Sequence, residues 1–360
     1  MADQISRPYQ VGVLGATGIV GQRMVERLIG HPWFHARALG ASGRSAGRTY
    51  GEAVRWSLAG DPPPEAGGLE IRPCRASDFS DCDLVFSALD ASAAKDVERE
   101  FAEGGLPVVT NSSAHRMAPD VPILVPEINA AHLDLVESGR DSGGTGFIVA
   151  NPNCSAAGLV VTLAPLHRTF RVRRVIVSTL QALSGAGTSG PRGLEMVDNI
   201  VPWIPGEEEK IERETGKMLG EPVGRTIREA SIAVSAHCHR VGTVDGHLEA
   251  VSVELERAVA PDEAVRTLRE FRGDVADLGL PSAPRRPIVV RDEADRPQPR
   301  RDRDEGGGMV VVVGRVRTCP VLTLRYELLS HNTVRGAAGA AILNAELLAA
   351  RRLIPRRSSG

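Results

Sequence analysis

Through roughly the first 150 residues, short apolar runs alternate with stretches whose apolar positions recur at helical spacing, the signature of parallel βαβ units. Val11-Gly12-Val13-Leu14 reads as a first strand, and Ile19, Val20, Met24, Val25 and Leu28 then fall on one face of a helix. Further strands are read at residues 36–39, 84–87, 107–110, 123–125 and 147–150. This pattern predicts an α/β fold that begins with a Rossmann-like, doubly wound sheet. Its ligand is expected at the carboxyl ends of the strands.

Beyond residue 153 the pattern lengthens. Alternating segments at 172–181, 248–256, 309–316 and 321–328 predict an α+β domain built on a mixed sheet, with a helix at 261–272 packed on it. Residues 285–308, rich in Pro, Arg, Asp and Gly, read as an exposed excursion whose charges are solvated or meet another subunit. We therefore expect a nucleotide-binding domain over 1–153, completed by a C-terminal helix over 332–352. A catalytic, substrate-binding and oligomerisation domain is expected over 154–331, and a flexible tail over 353–360.

Composition narrows the class. Across 360 residues, 42% are hydrophobic and 24% charged, ordinary for a soluble globular protein, and the net charge of −2 gives no general attraction for nucleic acid or anionic lipid. No apolar run reaches the ~18 residues of a membrane span. The N-terminus lacks a signal-peptide pattern, and five scattered cysteines without a CxxC pair fit a reducing cytoplasm. His237-Cys238-His239 supplies no complete ligand set, so no metal is expected.

Two segments carry chemistry. Gly15-Ala16-Thr17-Gly18-Ile19-Val20-Gly21 joins the first strand to its helix, where a glycine-rich turn lets backbone N–H groups approach a pyrophosphate. At the end of the second strand an NAD site usually places an acidic residue. This chain has Ser42, Arg44 and Ser45 instead, suited to a 2′-phosphate and hence to NADP(H). The turn Asn151-Pro152-Asn153-Cys154-Ser155 places Cys154 at a helix start, where a lowered thiol pKa and a nucleophilic role are expected. Such a thiol beside a nicotinamide implies acyl transfer through a thioester, with the N–H of Cys154 or Ser155 as oxyanion donor. His247 is the candidate acid/base, Arg240 a bidentate carboxylate anchor and Gln181 an orienting amide; Glu207, Lys210 and Arg116 are further candidates for substrate charges.

In order, GATGIVGQ, ASGRSAG, NPNCS, LQALSGAG, PGEEEK, RVGTVDGH and SHNTVRGAAGAA make the chain resemble the aspartate-β-semialdehyde dehydrogenases, closest to their archaeal/fungal branch. The resemblance covers nearly the whole chain. It implies an oxidoreductase that reduces 4-aspartyl phosphate with NADPH, on the way to lysine (through diaminopimelate), threonine and methionine, as a cytoplasmic homodimer or homotetramer. It also implies residue roles. Cys154 is the nucleophile, His247 the acid/base, and Gln181 positions the thioester. Arg240 meets the α-carboxylate, Glu207 the amine, and Lys210 and Arg116 the phosphate. Asn332 lies near the nicotinamide, while Gly15, Thr17, Gly18, Ile19, Val20, Ser42, Arg44, Ser45 and Ser87 line the cofactor. Three alternatives remain open at this point: an N-acetyl-γ-glutamyl-phosphate reductase, an acyl-CoA (malonyl-CoA-type) reductase on the same scaffold, and a non-enzymatic NADP-binding regulator.

Overall fold

The computed structural model describes residues 7–140, 144–189 and 193–357. Its first sheet is built from β1 (Tyr9–Leu14), β2 (Phe34–Ala41), β3 (Ile71–Pro73), β4 (Leu84–Ser87), β5 (Val108–Thr110) and β6 (Ile148–Ala150). Their order is β3-β2-β1-β4-β5-β6, all parallel, with the order reversing at β1. Helices on the sheet include α1 (Ile19–Leu28) and α2 (Ala91–Glu103). Every residue of β4 and β5 is buried, as expected for parallel strands covered on both faces.

The second sheet comprises β7 (Val172–Gln181), β8 (Ala233–Arg240), β9 (His247–Leu255), β10 (Ile288–Val290), β11 (Val311–Thr318) and β12 (Leu324–Ser330). The order is β8-β7-β9-β12-β11-β10, with parallel pairs at β8–β7 and β10–β11 and antiparallel pairs between, so the sheet is mixed. One face is covered by α3 (Cys154–Phe170), α4 (Glu207–Met218) and α5 (Pro261–Glu270), which share a core with it that includes Leu159, Leu163, Ile211, Leu268, Val253 and Tyr326. The last helix, α6 (Gly339–Ala350), returns to the first sheet. It is buried on all sides through Ala349 and joins the core of Val13, Phe86 and Val109.

Four details differ from the sequence reading. Residues 123–125 form no strand; only Ile123 bridges to Ala150, because Pro122 and Pro126 bound a segment too short to propagate a ladder. β3 goes unseen in the sequence because it is a three-residue edge ending in a proline. The excursion at 285–308 is anchored rather than loose: it contains β10, and Asp302, 1% exposed, accepts from Arg291 and Arg296 and from the Gln298 N–H. Within the assigned tail, residues 358–360 lie outside the described residues. Leu353 and Ile354 are buried, and the Arg357 N–H donates to Asp83 at 2.8 Å, so that part is held down.

Candidate active site

The nucleophile turn is set by its neighbours before any substrate is considered. Asn153 is the N-cap of α3, its side-chain oxygen accepting from the N–H groups of Ser155 (3.0 Å) and Ala156 (3.2 Å). The Ser155 amide is therefore already engaged, which corrects its expected availability as an oxyanion donor and leaves the Cys154 N–H. The other end of the Asn153 side chain donates to Glu207 Oε2, and its backbone N–H to Glu214 Oε2, each at 2.6 Å. Asn151 ties the turn to Asn111, to the Ala337 carbonyl and to Asn344 of α6. A π-helical turn, Val334–Ala338, passes behind Cys154. A Cβ on Gly336 would sit 2.7 Å from that of Cys154, so only glycine fits.

Opposite Cys154, the inner face of the second sheet presents polar side chains in register. Arg240 pairs with Gln181 across β8 and β7, His247 pairs with Ser330 across β9 and β12, and Leu248 opposite Leu180 brings His247 into line with Gln181. One row of the sheet thus reads Arg240, Gln181, His247, Ser330. The next row reads Cys238, Thr179, Glu249, Leu328. This alternation of period two carries the expected residues to one edge.

His247 Nε2 lies 3.2 Å from Cys154 Sγ. Its Nδ1 accepts from the Ala182 N–H at 3.0 Å, so the neutral ring carries its proton on Nε2, facing the sulfur. Burial, then Arg240 and His331, lower the His247 pKa to about 3. The expected lowering at Cys154 is overturned in the free protein. Although its side chain keeps some exposure, the surrounding protein and then the Glu207 carboxylate push the thiol up to about 12, against the pull of Arg240 and Arg116. The resting pair is a neutral thiol beside a neutral imidazole.

The charged candidates gather around this pair. Arg240, 5% exposed, donates to the Ala182 carbonyl at 2.8 Å, and among the described residues it has no carboxylate within ion-pair distance. Glu207 meets Lys210 at 2.7 Å. Burial works against its carboxylate, but Lys210, Asn153 and Arg116 more than offset it and hold its pKa below the usual range. Arg116 pairs with Glu214 at 2.9 Å and donates to the Asn111 carbonyl at 2.7 Å. Gln181, 1% exposed, donates to Thr179 at 3.3 Å. Asn332 accepts from the Gly246 N–H and donates to Ser184, joining the His247 strand to the 184 loop.

The residues expected to line the dinucleotide lie at the carboxyl ends of β1, β2 and β4. Gly15 has φ +74°, and a Cβ there would strike the Ala88 carbonyl at 2.6 Å. Gly18 caps α1, whose first-turn N–H groups at Ile19 and Val20 lack intrahelical partners by position. Ala16 N–H donates to the Gly40 carbonyl, bringing the 15–18 turn beside exposed Ser42 and Arg44 and half-buried Ser45. This cradle and its exposed arginine fit a phosphorylated dinucleotide. Ser87 stands apart: it is fully buried at the end of β4, its hydroxyl against Glu98. His237 and His239 point to the outer face of β8 while Cys238 points inward, so the three do not converge.

Three acidic or basic residues escaped the sequence reading. Glu214 and Lys217 look like ordinary α4 surface charges, yet both are buried, and Lys217 donates to the carbonyls of Arg116, Ala118 and Val121. Glu249 is fully buried two positions from His247, with neither carboxyl oxygen partnered among the described residues. Alternation along β9 was the available signal for it, since His247 and Glu249 must share a face.

The chain thus combines a doubly wound sheet, a mixed-sheet second domain and a thiol–imidazole pair where they meet. Residues 10–136 match the family model for the NAD binding domain of semialdehyde dehydrogenase, and residues 163–335 that for its dimerisation domain. Aspartate-semialdehyde dehydrogenase of Methanothermobacter thermautotrophicus is 51% identical over 94% of this chain and 98% of its own length. That of Saccharomyces cerevisiae is 44% identical over 95% and 98%. The crystal structure of the Candida albicans enzyme with NADP superposes with a TM-score of 0.91 at 42% identity, covering 96% of this chain and all of that one. The chain belongs to the aspartate-semialdehyde dehydrogenase family and is an oxidoreductase by that membership.

Proposed function

We propose that this chain catalyses the reversible, NADPH-dependent conversion of L-4-aspartyl phosphate to L-aspartate 4-semialdehyde and inorganic phosphate, through a thioester on Cys154. The observation that carries this reading is the Cys154–His247 contact at 3.2 Å, beside an Arg240 that has no carboxylate within ion-pair distance among the described residues. The names of the relatives and the NADP-bound neighbour support the same chemistry.

In the reductive direction the Cys154 sulfur attacks the acyl carbon, the bond from that carbon to the phosphate oxygen breaks, and the thiol proton leaves with the phosphate. Arg116 and Lys210 hold the departing phosphate, and Arg240 fixes the substrate α-carboxylate with its planar fork. Glu207 faces the substrate amine. NADPH, when bound, supplies the hydride that reduces the acyl group. Gln181 orients the thioester carbonyl, and the Cys154 N–H and His247 Nε2–H stabilise negative charge on its oxygen. His247 passes a proton from solvent to that oxygen and, as the hemithioacetal collapses, carries the hydroxyl proton to the departing sulfur, returning the thiol. The product feeds lysine, threonine and methionine synthesis in this reading, and the setting is cytoplasmic.

The division at 153/154, with 332–352 completing the first domain, separates cofactor binding from substrate binding. The outer face of the second sheet carries exposed Ile176 and Ala250 and half-buried Leu180 and Leu248, with no covering layer among the described residues; we assign it to contact with another copy, in a dimer or tetramer. The decisive test is NADP reduction by aspartate semialdehyde with and without phosphate, repeated after thiol alkylation. Phosphate dependence and loss on alkylation are expected. Turnover that ignores phosphate, or survives alkylation, would reject the assignment.

A further inference from the structure

Helix α4 reaches the nucleophile turn and the Arg116 loop with the same side chain. Glu214, 2% exposed, accepts from Arg116 Nη1 through one oxygen (2.9 Å) and from the Asn153 backbone N–H through the other (2.6 Å). Asn153 in turn caps the helix that starts at Cys154. One turn along α4, Lys217 spends its donors on three carbonyls of the segment from Arg116 to Val121, at 2.7–2.8 Å, and so fixes that backbone rather than serving a ligand. The Arg116 guanidinium is engaged at Nη1 and Nη2, while its buried Nε has no hydrogen-bond partner among the described residues. An unpaired buried donor costs free energy unless a ligand completes it, and an anion is the matching chemistry.

We propose that Glu214 is a positioning residue that locks the anion-binding edge of Arg116 to the nucleophile turn, so that phosphate and the Cys154 sulfur keep one relative geometry. This rests on the phosphate-releasing reaction proposed above. Both oxygens of Glu214 must accept. In Glu214→Gln the amide oxygen can serve only one partner, and the NH2 group then faces a donor on the other. Either Arg116 swings away or the cap of α3 loosens. Misplacement of a reacting group by about 1 Å is enough to cost on the order of a hundredfold in rate.

The test measures steady-state kinetics in the phosphorylating direction with aspartate semialdehyde, NADP and inorganic phosphate, alongside NADP affinity. Glu214→Gln is expected to raise the KM for phosphate at least roughly tenfold, with the KM for semialdehyde within about twofold and NADP affinity unchanged. Glu214→Asp, which keeps the charge but shortens the reach, should recover part of the loss. Combining Glu214→Gln with Arg116→Lys should be no worse than Arg116→Lys alone. An unchanged KM for phosphate overturns the proposal, as does a parallel rise in both KM values with weakened NADP binding, the mark of a merely structural role. Should Glu214→Gln not fold, the same comparison on Glu214→Asp decides. If the unmodified enzyme itself reduces NADP without needing phosphate, the proposed reaction fails instead, and the two failures are distinct.

Discussion

At Cys154 the same position that marks a nucleophile also suppresses its charge. The NPNCS turn and the helix behind it were legible in the sequence, and so was His247. The direction of the thiol's pKa was not, because it depends on how much protein closes over the turn and on Glu207 arriving from α4. Since the thiol sits at about 12, its thiolate fraction in the free enzyme rises about tenfold per pH unit below that value. Alkylation by iodoacetamide should therefore keep accelerating beyond pH 9. Glu207→Gln should speed it, by removing a negative neighbour, and Arg240→Gln should slow it. A plateau near pH 7, or the opposite response to either change, would contradict the electrostatic account. Arg240 was read as a carboxylate anchor, and among the described residues no carboxylate lies within ion-pair distance of it. Arg240→Lys replaces a fork by a point donor and should lower kcat/KM by roughly ten- to a hundredfold while leaving NADP binding intact. Equal losses in cofactor affinity would show that its role is structural.

Among the elements, alternation predicted β7 to within its observed ends, whereas the row that aligns Arg240, Gln181, His247 and Ser330 depends on register between strands distant in sequence, which alternation cannot show. Glu249 passed unnoticed although it lies two positions from His247 on β9, where alternation puts both on one face. Burial raises the pKa of its carboxyl well above the ordinary value. The unfolded chain releases that proton near pH 4.5 whereas the folded chain keeps it, so stability falls as pH rises from there toward the folded pKa. Glu249→Gln does not titrate. Its Tm relative to the parent should therefore rise between pH 5 and pH 8, and a difference that stays constant would show that the carboxyl is not held neutral. The π-helical turn is the second element the sequence concealed, since 333–352 reads as one helix. It brings Gly336 against Cys154. Gly336→Ala should displace the nucleophile and cut kcat by on the order of a hundredfold with NADP binding retained; near-normal turnover would show that the turn can yield.

For the molecule as a whole, the βαβ alternation and the change of pattern after residue 153 were enough to read two sheets of different kind. The return of α6 to the first core was anticipated, but the burial of Leu353 and Ile354 was not, because a charged tail flanks them. The sheet face left bare among the described residues lies in the part of the chain that matches the family's dimerisation domain, and the proposed contact with another copy falls there. Ile176→Glu on that face should shift sedimentation toward the monomer, and an unchanged mass would place the subunit contact elsewhere. The central claim is that the substrate's acyl group is carried on Cys154 between hydride transfer and phosphate transfer. Mixing enzyme with NADP and aspartate semialdehyde in the absence of phosphate, followed by intact-protein and peptide mass spectrometry, tests it most directly. The account predicts a burst of one NADPH per active site with an aspartyl adduct on the peptide bearing Cys154, and neither in Cys154→Ala. A burst that persists in Cys154→Ala, or an unmodified Cys154 peptide after the burst, would contradict it.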